Sequence, residues 1–201
     1  MSEEQPRLLL VAGPNGSGKT TVTERGLAHD WFAGCEYVNP DFIARDEFGD
    51  WNSEAAVLQA ANLAHDRRER CLTECRSLAF ESVFSAPDKV DFLRRAQAGG
   101  FFTRVFFVAT SDPAINAARV ARRVMEGGHD VPIRKIISRY FRSIANCALI
   151  AGEVDRLYLY DNSVDGEQAA LVLRASRGKV VKHYRDVPDW MAPIAERLIW
   201  P

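Results

Sequence analysis

The sequence has little that would direct the chain to a membrane or out of the cell. No apolar run approaches the ~20 residues that a membrane-spanning helix needs. The longest such run, residues 101–109, is interrupted by Arg104. The first residues include Glu3 and Glu4, where a secretory signal would be basic and apolar. We therefore expect a cytoplasmic protein that does not bind membranes.

Cysteines are few, and the four present are not spaced as a metal or redox motif. Cys71 and Cys75 are one helical turn apart, and no C-x-x-C pair occurs. We expect these two to be buried free thiols. The net charge of -1 is also small, so the chain as a whole has no electrostatic attraction for nucleic acids or anionic lipids. Any basic surface must be local.

Strand-like and helix-like segments alternate along the chain. Candidate strands lie at 7–12, 36–38, 77–83, 101–109 and 156–160, and a hairpin is predicted at 169–175 and 179–184. Helices of about ten residues or more are predicted between the strands. This alternation predicts one α/β domain over residues 1–201, with a mostly parallel central sheet and helices on both faces.

A phosphate-binding loop is the strongest motif in the sequence. Gly13-Pro14-Asn15-Gly16-Ser17-Gly18-Lys19-Thr20 fits G-x-x-x-x-G-K-[ST], with an apolar strand before it and a helix after it. In such a loop, backbone N–H groups cradle phosphate, the lysine reaches the β- and γ-phosphates, and the threonine hydroxyl ligates Mg²⁺. Thr21, next on the helix, completes the predicted nucleotide-binding segment. We predict binding of ATP with Mg²⁺.

Two acidic residues follow predicted strands, at the sheet edge where the nucleotide binds in this kind of fold. Asp41, in Val38-Asn39-Pro40-Asp41, can accept the proton of an attacking hydroxyl. The alternative is that it caps a helix over residues 42–48. Glu81 ends the third strand and can hold a Mg²⁺-bound water or contact substrate hydroxyls. The alternative is a solvated charge at the end of a strand.

Arginines are concentrated on two predicted helices that flank a glycine-rich turn. The turn is Gly127-Gly128-His129-Asp130-Val131-Pro132, and the arginines are Arg119, Arg122, Arg123, Arg134, Arg139 and Arg142. Arg119 and Arg123 are four residues apart and share one helix face. The pair of helices resembles a lid over the γ-phosphate, where guanidinium groups would stabilise charge in the transition state. The alternative is that these are solvated helix faces.

These motifs together resemble the zeta-toxin family of small bacterial P-loop kinases. The resemblance covers about residues 7 to 165. It includes Asn39-Pro40-Asp41, Glu81-Ser82-Val83-Phe84-Ser85, the Arg119–Val124 segment, the Gly127–Pro132 turn, Arg139-Tyr140 and Tyr160-Asp161-Asn162-Ser163. It implies a three-layer kinase fold with an arginine-bearing lid. The prototypes use ATP to phosphorylate the sugar 3′-hydroxyl of UDP-N-acetylglucosamine, and the family implies an antitoxin protein as a possible partner.

The resemblance also implies roles for individual residues. Asp41 would be the general base, and Glu81 and Ser82 would lie near the acceptor. Arg123 and Arg139, with Arg119 beside them, would hold the transferring phosphoryl group, and Asn162 would lie near the adenine. Because this chain is shorter than the best-known toxins, another small metabolite stays open as acceptor. Two other functions also stay open, a nucleotide-dependent ATPase switch and a kinase of RNA or DNA ends.

Overall fold

The computed structural model describes residues 5–27, 29–48, 53–126 and 131–201, and a seven-stranded sheet lies at the centre of that part of the chain. The strands are β1 (Arg7–Ala12), β2 (Glu36–Val38), β3 (Leu78–Ser82), β4 (Phe102–Ala109), β5 (Arg156–Asp161), β6 (Ala170–Ser176) and β7 (Lys179–His183). Their order across the sheet is β2-β3-β1-β4-β5-β6-β7. The first five are parallel, and β6 and β7 extend the sheet as an antiparallel hairpin.

The central strands are apolar on both faces, as expected of a parallel sheet covered on both sides. Leu8, Leu9 and Leu10 of β1 are all buried, although successive side chains point to opposite faces. Leu8 and Leu10 belong to one hydrophobic cluster and Leu9 to another. β1 therefore lies between two cores.

The helices form two unequal layers. The described helices are α1 (Lys19–Leu27), α2 (Pro40–Phe48), α3 (Glu54–Thr73), α4 (Pro87–Ala98), α5 (Pro113–Met125), α6 (Ile133–Ile150) and the short α7 (Ala192–Ala195). The larger core includes buried residues of α3, α4, α6 and α7. The smaller core joins the opposite face of the sheet to Val22 of α1 and to Trp31 and Phe32 of a 3-10 turn. The predicted three-layer α/β architecture is confirmed.

Two helices begin at side-chain caps of the residue types that favour this position. The Ser53 side chain accepts a hydrogen bond from the Ala56 N–H at 3.2 Å and caps α3. The Asp112 carboxylate accepts from the Ala114 N–H at 2.7 Å and caps α5, with Pro113 as its first residue. Most element boundaries lie within about two residues of the predicted ones, the usual uncertainty of such assignments.

The cysteine prediction is half wrong. Cys71 is buried, but Cys75 is exposed. The reason is that Cys75 follows the last residues of α3 and adopts a left-handed conformation, with φ of 52°. It therefore does not continue the helix face that carries Cys71.

The two arginine-bearing helices α5 and α6 share a small hydrophobic cluster that is separate from both sheet cores. Its buried members are Val120, Val131 and Ile136. The predicted lid turn at Gly127–Asp130 lies outside the described residues. No helix in the described part of the chain combines the length and apolar character needed to cross a bilayer.

Candidate functional site

The phosphate loop is shaped by glycines that no other residue could replace without movement. Gly13 has φ of 149°, and a Cβ there would lie 1.9 Å from the carbonyl oxygen of Val108. Gly16 has φ of 72°, and its added Cβ would lie 2.6 Å from the carbonyl oxygen of Asn116. The loop therefore packs as bare backbone against β4 and α5, which leaves its N–H groups available for an anion.

Side chains from distant elements hold this loop in place. Asn116 of α5 donates to the Asn15 carbonyl at 2.6 Å, and Asn162, just after β5, donates to the Ser17 carbonyl at 2.8 Å. The hydroxyl of Ser17 is buried and has no hydrogen-bond partner among the described residues. Buried polar groups are normally hydrogen-bonded, so a bound ligand would supply the partner that this hydroxyl lacks.

Lys19 is the cation of the loop, and its environment favours a bound anion. Its ammonium donates to the Pro14 carbonyl at 2.9 Å. The pKa of Lys19 is lowered overall from 10.5 to about 8. Desolvation by burial is the main cause, the negative charges of Glu81 and Asp41 oppose it, and the positive charge of Arg123 adds to it. The charges of all three residues therefore act on the loop lysine. A phosphate group placed beside Lys19 would restore the charge stabilisation that burial removes.

The side-chain oxygens of Thr20 and Glu81 are suited to act as ligands of a magnesium ion. The Thr20 hydroxyl donates to Glu81 Oε2 at 3.2 Å, which leaves the lone pairs of the hydroxyl oxygen free for a metal. No cluster of three or more His, Cys, Asp or Glu side chains occurs among the residues described. Mg²⁺ commonly uses one or two protein ligands together with substrate phosphates, and these two residues fit that requirement.

Asp41 is free to act because another residue caps its helix. α2 begins at Pro40, and the side-chain oxygen of Asn39 accepts from the Asp41 N–H at 2.9 Å. The alternative that Asp41 caps the helix over 42–48 is therefore wrong. The Asp41 side chain is exposed and has no hydrogen bond within the described chain, so its carboxylate is available to an incoming group.

The arginines divide into two groups. Arg139 of α6 donates to the Asn15 side chain at 3.4 Å and so contacts the phosphate loop, and the positive charge of Arg123 of α5 lowers the pKa of Lys19. Arg119 instead donates to the carbonyl of Asn162 at 2.8 Å and forms an ion pair with Asp165 at 3.3 Å. In this structure, Arg119 organises the chain after β5.

Ser82 has a structural role in the absence of a substrate. Its hydroxyl accepts from the Phe84 N–H at 3.0 Å, and its carbonyl accepts from the Gly13 N–H at 3.2 Å. Phe84 has φ of 58°, so the Ser82 hydroxyl supports a left-handed residue. A contact between Ser82 and an acceptor stays a prediction.

A cavity of about 380 Å³ opens beside the loop. Gly18 and Thr21 are among its lining residues. Aromatic residues from three different segments also line it, namely Trp31, Phe32, Phe106 and Tyr160. Arg25, also in the lining, donates to the Gln168 side chain at 2.7 Å. An aromatic cavity with a few polar groups is typical of a small-molecule site. The sequence analysis did not find it, although alternate aromatic residues on β4 and β5 were a signal.

Known proteins are similar to this chain in sequence and in structure. Over 136 residues, the chain is 26% identical to an uncharacterized protein of Haemophilus influenzae, covering 68% of this chain and 94% of that protein. The structure is similar to AvrRxo1-ORF1:AvrRxo1-ORF2 complexes, one of them determined with ATP. For the native complex the TM-score is 0.67 at 19% identity, covering 96% of this chain. This chain spans 63% of the length of that neighbour.

Two further solved structures are similar in fold. The PezAT toxin–antitoxin system of Streptococcus pneumoniae matches with a TM-score of 0.63 at 15% identity, covering 98% of this chain and 80% of that one. A putative kinase of Chloroflexus aurantiacus matches with a TM-score of 0.53 at 17% identity, covering 69% of this chain and 79% of that one. The sequence profile of the Zeta toxin family matches residues 1–163. Because this match covers most of the chain, the chain belongs to the Zeta toxin family.

Proposed function

We propose that this protein is an ATP- and Mg²⁺-dependent kinase that transfers the γ-phosphoryl group to a hydroxyl of a small molecule. One observation carries the proposal: Arg139 donates to Asn15 at 3.4 Å and Thr20 donates to Glu81 at 3.2 Å, so a guanidinium and a carboxylate from other elements both contact the phosphate loop. Phosphoryl transfer to a hydroxyl needs a proton acceptor and cations around one phosphate. Membership of the Zeta toxin family supports the same function.

Each residue has a role that follows from its position. The acceptor oxygen attacks the γ-phosphorus, its proton passes to the Asp41 carboxylate, and the bond between the γ-phosphorus and the β–γ bridging oxygen breaks to release ADP. Lys19 and the loop N–H groups hold the β- and γ-phosphates, while Arg123 and Arg139 balance the charge on the transferred group. Mg²⁺, held by Thr20 and Glu81, would supply further positive charge at the phosphates.

The cavity beside the loop supports binding of the rest of the nucleotide. Gly18 and Thr21 belong both to the phosphate-binding segment and to the cavity lining. A ribose and base joined to phosphates at the loop would lie next to Trp31 and Tyr160, where stacking on aromatic rings is favourable. Asn162 borders the same cavity, which supports its predicted place near the adenine.

The acceptor that we propose to test first is UDP-N-acetylglucosamine or a related nucleotide-sugar, as the family resemblance implies. The purified protein would be incubated with Mg·ATP and a panel of UDP-sugars, nucleosides and oligonucleotides, and products would be analysed by mass spectrometry. We expect one phosphate to be added to a small acceptor. Labelling of oligonucleotide ends would favour the nucleic-acid kinase instead, and ATP hydrolysis without any labelled acceptor would favour the ATPase switch.

Asp41→Asn tests the proposed base directly. Loss of a general base is expected to slow transfer by a factor of about 10²–10⁴. Asp46→Asn is the matched control, because Asp46 lies on the same helix and only forms an exposed ion pair with its neighbour Arg45. Equal rates for Asp41→Asn and wild type would contradict the assignment of the base.

We also propose that the activity is toxic and that a protein partner can neutralise it. Support comes from the family and from two structural neighbours, one determined as an ORF1:ORF2 complex and one from a toxin–antitoxin system. Induced expression in a bacterial host is expected to stop growth with the wild type and not with Asp41→Asn. Normal growth with the active wild-type enzyme would argue against toxicity and leave the kinase proposal intact.

A further inference from the structure

A chain of hydrogen bonds links the start of α2 to the phosphate loop. The Asn39 side-chain oxygen accepts from the Asp41 N–H, and its side-chain nitrogen donates to the Tyr37 hydroxyl at 3.0 Å. The Tyr37 hydroxyl donates to Glu81 Oε1 at 2.9 Å. Thr20 then donates to the other oxygen of Glu81. The chain runs from the backbone of the proposed base to the proposed metal ligands.

Every group in this chain has a defined donor or acceptor role. The Tyr37 hydroxyl accepts one hydrogen bond and donates one, and Asn39 uses both ends of its amide. The Tyr37 hydroxyl is the donor in its contact with Glu81, because an ionised carboxylate can only accept. With Tyr37 and Thr20 on its two oxygens, Glu81 has one orientation in which both hydrogen bonds form.

The packing around Tyr37 gives its hydroxyl a fixed position. Tyr37 lies on β2, which pairs in parallel with β3, the strand that carries Glu81. Its ring meets that of Phe42 edge to face at a centroid distance of 5.9 Å. Asn39 is buried at the end of the same strand. Removal of the hydroxyl alone would leave this packing intact and would deprive Glu81 of one of its two hydrogen bonds.

We propose that Tyr37 and Asn39 are positioning residues that orient Glu81 for metal binding and fix it relative to Asp41. The inference rests on the proposed function, because it assigns the purpose of the Thr20–Glu81 pair in that same site. Neither residue touches the reacting atoms in this arrangement. Their effect on the reaction passes through Glu81 and the backbone of Asp41.

Metal binding can be measured without an acceptor. Mn²⁺ would replace Mg²⁺, and electron paramagnetic resonance would report its affinity for the full-length protein bound to a non-hydrolysable ATP analogue. Tyr37→Phe is expected to weaken Mn²⁺ binding about ten-fold, the lower end of the usual effect of removing a residue that orients a metal ligand. Asn39→Ala is expected to weaken it as well. Tyr184→Phe is the matched control, because the Tyr184 hydroxyl has no hydrogen bond within the described residues, its side chain is exposed, and it follows β7 at the opposite edge of the sheet from β2.

A double-variant comparison separates positioning from a general loss of structure. In a Glu81→Gln background, Tyr37→Phe should cause no further loss of Mn²⁺ affinity, because the residue through which it acts is already changed. Unaltered Mn²⁺ affinity in Tyr37→Phe would overturn the proposal, and so would the same ten-fold loss in the Glu81→Gln background. A wild type that binds Mn²⁺ and nucleotide but phosphorylates no acceptor would contradict the proposed function and not this inference.

Discussion

The side-chain amide of Asn162 lies 2.8 Å from the carbonyl of Ser17, so the residue after β5 is bonded directly to the phosphate loop. The backbone N–H of Asn162 in turn donates to the Ala109 carbonyl at the end of β4. One asparagine therefore fixes the loop relative to two strands of the sheet. The shape of the anion site depends on this residue although the phosphate motif does not include it.

Asn162→Ala should weaken nucleotide binding without unfolding the protein. The carbonyl of Ser17 would lose its partner, and a lost hydrogen bond to a buried group costs about 1–3 kcal/mol. We expect the affinity for a non-hydrolysable ATP analogue, measured by calorimetry, to fall about ten-fold. Gln97→Ala is the control. It removes a 2.7 Å hydrogen bond from a side-chain amide to the carbonyl of Glu153, a residue that precedes β5 and lies away from the phosphate loop. Equal losses in the two variants would show that the effect is not local to the loop.

Two glycine substitutions in the loop should differ greatly in their cost. A Cβ at Gly13 would meet the backbone of Val108 at 1.9 Å, whereas one at Gly18 would meet the end of the Asn162 side chain at 2.3 Å. A side chain can turn away and a strand backbone cannot. We expect Gly13→Ala to lower the free energy of unfolding by more than about 3 kcal/mol and Gly18→Ala by about 1–2 kcal/mol. Urea denaturation would measure both, and equal destabilisation would contradict the packing described for Gly13.

Nucleotide affinity should fall as the pH rises above about 8. Desolvation lowers the pKa of Lys19 to about 8 in the free protein, and bound phosphate raises it again. Above that pH, binding must therefore take up a proton, and affinity is expected to fall by up to about ten-fold per pH unit. Below that pH the lysine is already charged, and this contribution is constant.

Calorimetric titrations between about pH 7 and about pH 9.5 would test this dependence. Lys19→Arg provides the comparison, because a guanidinium stays protonated throughout that range. It should bind the nucleotide more weakly and with an affinity that no longer depends on the Lys19 proton. A wild-type affinity that does not change across the range would show that Lys19 is not the titrating group.

Trp31→Ala should weaken binding of the nucleoside part of ATP without weakening binding of its phosphates. Trp31 lines the cavity but is not part of the phosphate loop. Loss of one stacking partner costs about 1–3 kcal/mol per base, so affinity for the ATP analogue should fall at least about five-fold. Affinity for inorganic tripolyphosphate should not change. A parallel loss for both ligands would indicate a disturbed loop, and no loss for either would place the base elsewhere.

The sequence predicted features that depend on nearby residues. The phosphate loop, the strand before it and the cap of α5 each follow from a few consecutive residues. Asp41 was different, because Asn39-Pro40-Asp41 offers two possible caps, and the structure shows that Asn39 takes that role. Because Asn39 caps the helix, the Asp41 carboxylate is not used as a cap and has no hydrogen bond within the described residues.

The contacts missed by the sequence analysis join residues far apart in the chain. Asn116 and Asn162 reach the loop because α5 and β5 are brought beside it by the strand order β1-β4-β5. The cavity likewise combines Trp31 with Phe106 and Tyr160. Neither local propensity nor periodicity reports which strands are neighbours. The family resemblance implied a place for Asn162 near the adenine but not its hydrogen bond to the loop, and the contacts of Tyr37 and Asn116 required the three-dimensional structure.

The position of β2 places the proposed base at the edge of the sheet, away from the strands that anchor the phosphate loop. The loop and its anchors depend on β1, β4 and β5 in the centre of the sheet, whereas Asp41 follows a three-residue strand at its edge. The side chains that anchor the loop and the carboxylate proposed as the base therefore belong to different parts of the sheet, and the hydrogen bonds of Tyr37 and Asn39 connect the two.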